Sequence, residues 1–262
     1  MEPRAVSAGH GWTWILEGYS LFRKSPAAWL SLLLLLFVSG AVLMRVPVLG
    51  IVFVLLMPVF VVGLMEGCRA LEQGERLEIA HLIAGFRRNA AQLVTIGGIT
   101  LMGNLLVMMI VVSVGGETLA AMVKAVQQGA TLAPQVQQEA GAAVRRALLV
   151  GIVASLPLLM ALWYAPLLVH FRGFGPLQAM RSSFVACLKN AAPLLVYGGL
   201  VITGMFIVLT AMLIARGAGL ILPYDFALWV LTPVVLPSIY ASYKDIYLTG
   251  TAPAPHVDSV AG

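Results

Sequence analysis

Arg23-Lys-Ser-Pro-Ala-Ala-Trp-Leu-Ser-Leu-Leu-Leu-Leu-Leu-Phe-Val-Ser-Gly-Ala-Val-Leu-Met44 opens with two cations, passes a proline and small residues, and then carries no charge to its end. A helix needs roughly 20 apolar residues to cross about 30 Å of hydrocarbon, so the part from Ala27 reads as a membrane span. The same basic-plus-small approach recurs at Arg87-Arg88-Asn89-Ala90-Ala91 and at Lys189-Asn190-Ala191-Ala192, each ahead of another long apolar run. With Asn89 laid on Asn190, residues 88–109 match 189–210 at eight of 22 positions, including Gly97-Gly98 with Gly198-Gly199 and Gly103 with Gly204. Three glycines and an Asn-Ala-Ala in register exceed what shared apolar composition supplies, so the pattern reads as an internal repeat. The first copy joins it through Lys24-Ser25-Pro26-Ala27, with Ser39 opposite Gly103.

Composition agrees with lipid as the main solvent. The 262 residues are 60% hydrophobic and 10% charged, with a mean hydropathy of +0.96. A soluble domain carries about 25% charged residues and could not cover a surface this apolar. Six spans are predicted: Ala27–Met44, Val46–Met65, Leu93–Val114, Ala147–His170, Pro193–Ala215 and Phe226–Tyr243. The runs are continuous rather than alternating, which selects helices over barrel strands. The first apolar run begins near residue 27 without a short leader and cleavage site, so it reads as a retained anchor.

Each junction follows an amphipathic stretch. Trp12, Ile15, Leu16, Tyr19 and Phe22 share one helical face; Ile79, Leu82, Ile83 and Phe86 make the second stripe, and Leu177, Met180, Phe184 and Leu188 the third. This i, i+3, i+4, i+7 spacing predicts helices lying flat in the interface ahead of each span. The returning spans carry Pro58, Pro166 and Pro233 with Pro237, which predict kinks. The glycines predict close helix approach between copies. The expected fold is therefore all-α: a six-transmembrane-helix bundle of three units (about 11–66, 78–172 and 176–247), each an interfacial helix plus a hairpin. A single membrane domain over 1–248 would precede a disordered tail at 249–262.

Lys and Arg set the orientation. One side collects Arg4, Arg23, Lys24, Arg69, Arg76, Arg87, Arg88, Arg172, Arg181, Lys189 and Lys244; the other holds Arg45, Lys124, Arg145, Arg146 and Arg216. Both termini are expected in the cytoplasm. Arg145 and Arg146 run against this bias, in a long Ser113–Arg146 loop expected to form two helical pieces around Pro134. Cys68 and Cys187 are too far apart in sequence to suggest a metal pair and read as buried or idle thiols. The net charge of +5 follows from the loop bias and calls for no nucleic-acid partner.

Two features are candidate functional positions. Arg23, Lys24, Arg87, Arg88 and Lys189 fall at the junctions, where cations meet anionic headgroups, against the plainer reading of positive-inside anchors. Asn104 is the strongly polar side chain near mid-span and needs a partner there, ordinarily an interhelical hydrogen bond. No Asp, Glu, Lys or Arg lies deep within a span, which disfavours an ion-driven carrier. A neutral path would use Asn104, Thr95, Thr100 or Thr203. Phosphate-loop, metalloprotease and nucleophile-elbow motifs are missing, and Glu66, Glu72, Glu75 and Glu78 sit among Arg69, Arg76 and His81 as a salt-bridged surface. No enzyme, cofactor or metal is expected.

The stretches Gly11–Leu30 (GWTWILEGYSLFRKSPAAWL), Gly63–Gly74 (GLMEGCRALEQG) and His81–Arg87 (HLIAGFR) resemble an uncharacterised family of proteobacterial multi-pass inner-membrane proteins, over residues 10 to about 248. The layout is also similar to the membrane region attached to some bacterial glycerophosphodiester phosphodiesterases. The first resemblance implies the inner membrane and the helical fold, and it transfers no site. The expected role is a non-enzymatic membrane component that organises anionic phospholipid or a membrane partner, itself included as a homo-oligomer. The alternative is a small-solute transporter or channel.

Overall fold

The computed structural model describes residues 2–127, 134–217, 219–220 and 226–248, and every regular element among them is helical. These are α1 (His10–Lys24), α2 (Pro26–Leu43), α3 (Pro47–Glu72), a 3-10 turn (Ile79–Ile83) leading into α4 (Ala84–Arg87), α5 (Ala90–Gln127), α6 (Pro134–Leu162), α7 (Ala165–Arg172), α8 (Pro176–Lys189), α9 (Ala191–Gly217) and α10 (Phe226–Tyr247). Six stretches are long and apolar enough to cross a membrane: Pro26–Leu43, Pro47–Glu72, Ala90–Glu117, Gly141–Arg172, Ala191–Gly217 and Phe226–Tyr247. The chain is an all-α protein with six candidate membrane-spanning helices. On α9, Ile202, Phe206, Ile207, Leu213 and Ile214 stand 62–71% exposed. Such a contiguous apolar face is untenable in water and costs nothing in lipid.

Proline starts helices as often as it interrupts them. Pro26, Pro47, Pro134 and Pro176 open α2, α3, α6 and α8, where a missing N–H is not needed. Pro58, Pro157, Pro233 and Pro237 lie inside α3, α6 and α10. Pro166 corrects the expectation of a kink within one helix. The returning span breaks at Trp163-Tyr164, and Pro166 stands in the first turn of α7. The buried Ser183 hydroxyl enters the gap: it accepts the Tyr164 N–H at 2.9 Å and donates to the Met160 carbonyl at 2.7 Å. One side chain thus replaces the i→i−4 bond that the break removes.

The second amphipathic stretch is also corrected. Instead of one α-helix it is a 3-10 turn and a single α turn. The Glu78 N–H meets His81 Nδ1 at 3.0 Å, half of a reciprocal cap that holds the tighter turn. In the Ser113–Arg146 loop the two helical pieces are extensions of α5 and α6. The first bends at Gly116, whose φ of 59° suits glycine, and the second begins at Pro134; residues 128–133 lie outside the described residues, as do Asp225 and the tail 249–262.

The chain divides into two compact units: Met1–Ala41 with Val62–Ala84 and Val185–Gly262, and Val42–Val61 with Gly85–Phe184. In the first, α1 packs along α10 and across α9. A Cβ at Gly11 would stand 2.4 Å from the Pro193 carbonyl oxygen, and one at Gly18 2.6 Å from that of Val234. Trp14, wholly buried, meets Tyr197 edge-on at 6.2 Å between ring centroids. In the second unit α5 packs along α6, with α7 against both. A Cβ at Gly97 would fall 2.1 Å from the Leu55 carbonyl oxygen, and one at Gly103 2.6 Å from the Leu158 side chain. The glycine expectation fails at Gly198 and Gly199, which have nothing within 4 Å of that position. Their stretch of α9 lies beyond the Pro193–Tyr197 turn that receives α1.

Candidate functional site

Each junction is built on one residue whose carbonyl receives the first N–H of the coming span. Ser25, Asn89 and Asn190 accept from Trp29, Leu93 and Leu194, all at 3.1 Å. The two asparagine side chains then fasten different things. Asn89 adopts φ 58°, a conformation asparagine tolerates better than most residues, and its Nδ2 donates to the Val169 carbonyl at 2.9 Å. Asn190 is fully buried. Its Oδ1 accepts the Val6 N–H at 2.9 Å, and its Nδ2 donates to the carbonyls of Arg4 at 2.9 Å and Ala186 at 3.0 Å. The N-terminal segment is thus pinned to the α8–α9 junction. Replacing Asn190 with Ala strands these groups, and the expected loss is about 2–3 kcal/mol in detergent unfolding. An Asn190→Ala midpoint equal to wild type would refute the pin.

The five junction cations divide by partner. Lys24 Nζ donates to the Leu71 carbonyl in the last turn of α3 at 2.8 Å, beside the Gly74 N–H that reaches the same oxygen at 3.4 Å. Lys189 Nζ stands 3.1 Å from Glu2 Oε2 in an exposed pair. Arg23, Arg87 and Arg88 are exposed and make no hydrogen bond or ion pair among the described residues. The amphipathic stretches beside them turn some of their large apolar residues outward, whereas Trp14, Leu21 and Leu82 are buried. On α1, Trp12, Leu16 and Tyr19 stand 48–52% exposed, while Gly11, Trp14, Gly18 and Leu21 are buried. On α8, Leu177 and Leu188 face out and Ala179, Ser183, Ala186 and Cys187 face in. Ile79, Ile83 and Phe86 are likewise exposed.

A second polar cluster, unforeseen in the sequence reading, ties the start of the chain to the end of α10. Asp245 Oδ2 accepts Trp14 Nε1–H at 2.9 Å and lies 2.6 Å from His10 Nδ1; Oδ1 pairs with Arg4 Nη2. Arg4 also gives Nε–H to the Asp245 carbonyl at 2.8 Å and its backbone N–H to that of Ile246 at 3.1 Å. Beside it, Lys244 Nζ pairs with Glu72 and reaches Glu17 Oε2 at 3.9 Å, and Tyr240 donates to Glu72 Oε2 at 3.3 Å. Partial burial raises the Glu17 carboxyl above its usual range, more than Lys244 lowers it. An indole and a carboxylate 231 residues apart give no local signal. A polar N-terminal stretch before an apolar chain does hint that Arg4 and His10 have work near the membrane.

The hydroxyls considered for a solute path serve their own helices. Thr95, Thr100 and Thr203 donate to the carbonyls of Ala91, Ile96 and Gly199 at 2.8–2.9 Å. A groove between α5 and α6 is lined by Val107, Val111, Val144, Ala147, Leu148, Gly151, Ile152 and Ser155, and is apolar but for one hydroxyl. Asn104 is exposed on α5. Both thiols, Cys68 and Cys187, are free and buried.

The chain is 29% identical over 259 residues to a probable inner membrane protein of Burkholderia thailandensis, across 94% of this chain and 93% of that one. No family model and no solved structure matches. The near full-length likeness agrees with the resemblance to multi-pass inner-membrane proteins and with the six apolar helices.

Proposed function

We propose that this protein is a non-enzymatic component of the inner membrane that gathers anionic phospholipid at its short-helix junctions, with both termini cytoplasmic. The observation that carries the reading is the state of Arg23, Arg87 and Arg88: exposed, without an acceptor among the described residues, and next to outward-facing Tyr19 and Phe86. Aromatic rings settle at headgroup depth. A guanidinium held there meets phosphate, which it binds in a planar fork. Each such cation contributes roughly 1 kcal/mol toward an anionic surface.

The test is native mass spectrometry of gently extracted protein, wild type against Arg23, Arg87 and Arg88 changed together to Gln. About five-fold weaker retention of phosphatidylglycerol or cardiolipin at the Arg23 junction, and about thirty-fold at the Arg87–Arg88 junction, is expected from roughly 1 kcal/mol per cation. Lys24→Gln alone should leave lipid retention in place, because that ammonium already serves the Leu71 carbonyl. Equal retention by the triple variant would reduce the arginines to orientation anchors. Equal affinity for a zwitterionic lipid would also sink the reading.

A further inference from the structure

Asn104 lies midway along the 28-residue span Ala90–Glu117. Other polar side chains of that span close on their own helix: Thr95, Thr100 and Ser113 donate to Ala91, Ile96 and Ile110 carbonyls at 2.8–2.9 Å. Asn104 is exposed and makes no hydrogen bond among the described residues. Its face continues through Leu105, Met108 and Val112, 49–58% exposed. Lipid tails accept those three at no cost but offer nothing to a primary amide, which has two donors and an acceptor to satisfy. Leaving them bare in hydrocarbon costs several kcal/mol. Either end of the span is about 20 Å away at 1.5 Å per residue, too far for so short a side chain to reach water or headgroups.

We propose that Asn104 pairs with Asn104 of a second copy of this chain, making α5 the contact of a two-fold homodimer in the membrane. A primary amide is its own complement. About an axis normal to the membrane each Nδ2 donates to the opposite Oδ1, as an isologous interface requires. Met108, one turn on, lies on the same face and packs beside the axis, while Leu106 points away from it. This inference stands on α5 alone and does not depend on the lipid reading.

The experiment dilutes fluorescently labelled full-length protein into phosphatidylethanolamine–phosphatidylglycerol vesicles and follows energy transfer against protein density. Wild type should dimerise, Asn104→Leu should shift the midpoint about ten-fold toward monomer, the scale of an interhelical side-chain bond, and Asn104→Gln should recover it. Thiol cross-linking gives a second readout with Asn104 intact: a bismaleimide should join Met108→Cys copies and not Leu106→Cys copies. That result also decides the matter if Asn104→Leu does not fold. A monomeric wild type at every density overturns the proposal, as do an unshifted Asn104→Leu curve, equal cross-linking at both cysteines, or capture of a different membrane protein in place of a second copy.

Discussion

Valine in place of Gly97 is expected to destabilise the protein by about 3 kcal/mol or more, the upper end for overpacking, while valine in place of Gly198 stays within about 0.5 kcal/mol of wild type. The two glycines occupy one column of the repeat alignment, so the alignment alone forecasts equal effects. Geometry separates them. A Cβ at Gly97 would lie 2.1 Å from the Leu55 carbonyl oxygen, a backbone atom that can yield only if α3 and α5 part. At Gly198 there is nothing within 4 Å. Unfolding of both variants in mixed detergent with SDS as denaturant makes the comparison. Equal midpoint shifts, in either direction, would mean that α3 and α5 do not meet at this glycine.

Asp245→Ala is the second large effect. Removing this carboxylate strands the buried Trp14 indole N–H and takes the ion-pair partner from two exposed basic groups, so about 2 kcal/mol of stability should be lost. The Asp245 side chain is 15% exposed, whereas Arg4 and His10 are 40% and 37% exposed. Exposed ion pairs contribute little, so Arg4→Gln should cost under about 1 kcal/mol. The larger share lies with the Trp14 indole, fully buried and donating to the same carboxylate. Hydrogen exchange gives a local readout. The Arg4 and Val6 amides, bonded to the Ile246 carbonyl and Asn190 Oδ1, should exchange much faster in Asp245→Ala. Unchanged protection at both would show that Asn190 alone holds the N-terminal segment, and the role given to Asp245 would fall.

Much of the secondary structure was legible because a membrane imposes one rule on every residue of a span. Ala27–Met44 and Pro193–Ala215 announce themselves by length and absence of charge, whatever they pack against. The stripes at Trp12–Phe22 and Leu177–Leu188 were legible too, but their burial was not. In water the apolar face of such a helix turns inward; here Trp12 and Leu177 face out, and the inward faces join glycine, alanine and serine to Trp14 and Leu21. Hydropathy cannot separate lipid from protein as the solvent of a side chain. Close packing in lipid favours small residues, which leave little periodic signal.

The candidate site divides in the same way. Arg23, Arg87 and Arg88 were visible as charges, and so was Lys24; only its 2.8 Å bond to the Leu71 carbonyl removes it from their company. Asp245 could not be singled out among 11 acidic residues, because its three partners lie more than 230 residues away in the chain. Ser183 bridging the break between Met160 and Tyr164 was equally hidden, since a proline shows where a helix must yield and not which hydroxyl will fill the gap.

By itself the sequence determined the solvent of this protein and hence its class: six apolar helices, with cations where each short helix meets a span. That follows because the transfer of a side chain from water to hydrocarbon depends on local composition and adds up along the chain. Tertiary structure alone decided which glycine is a contact, which cation is already bonded and which amide has no partner among the described residues. Those outcomes turn on close approaches and hydrogen bonds between residues brought together only by folding.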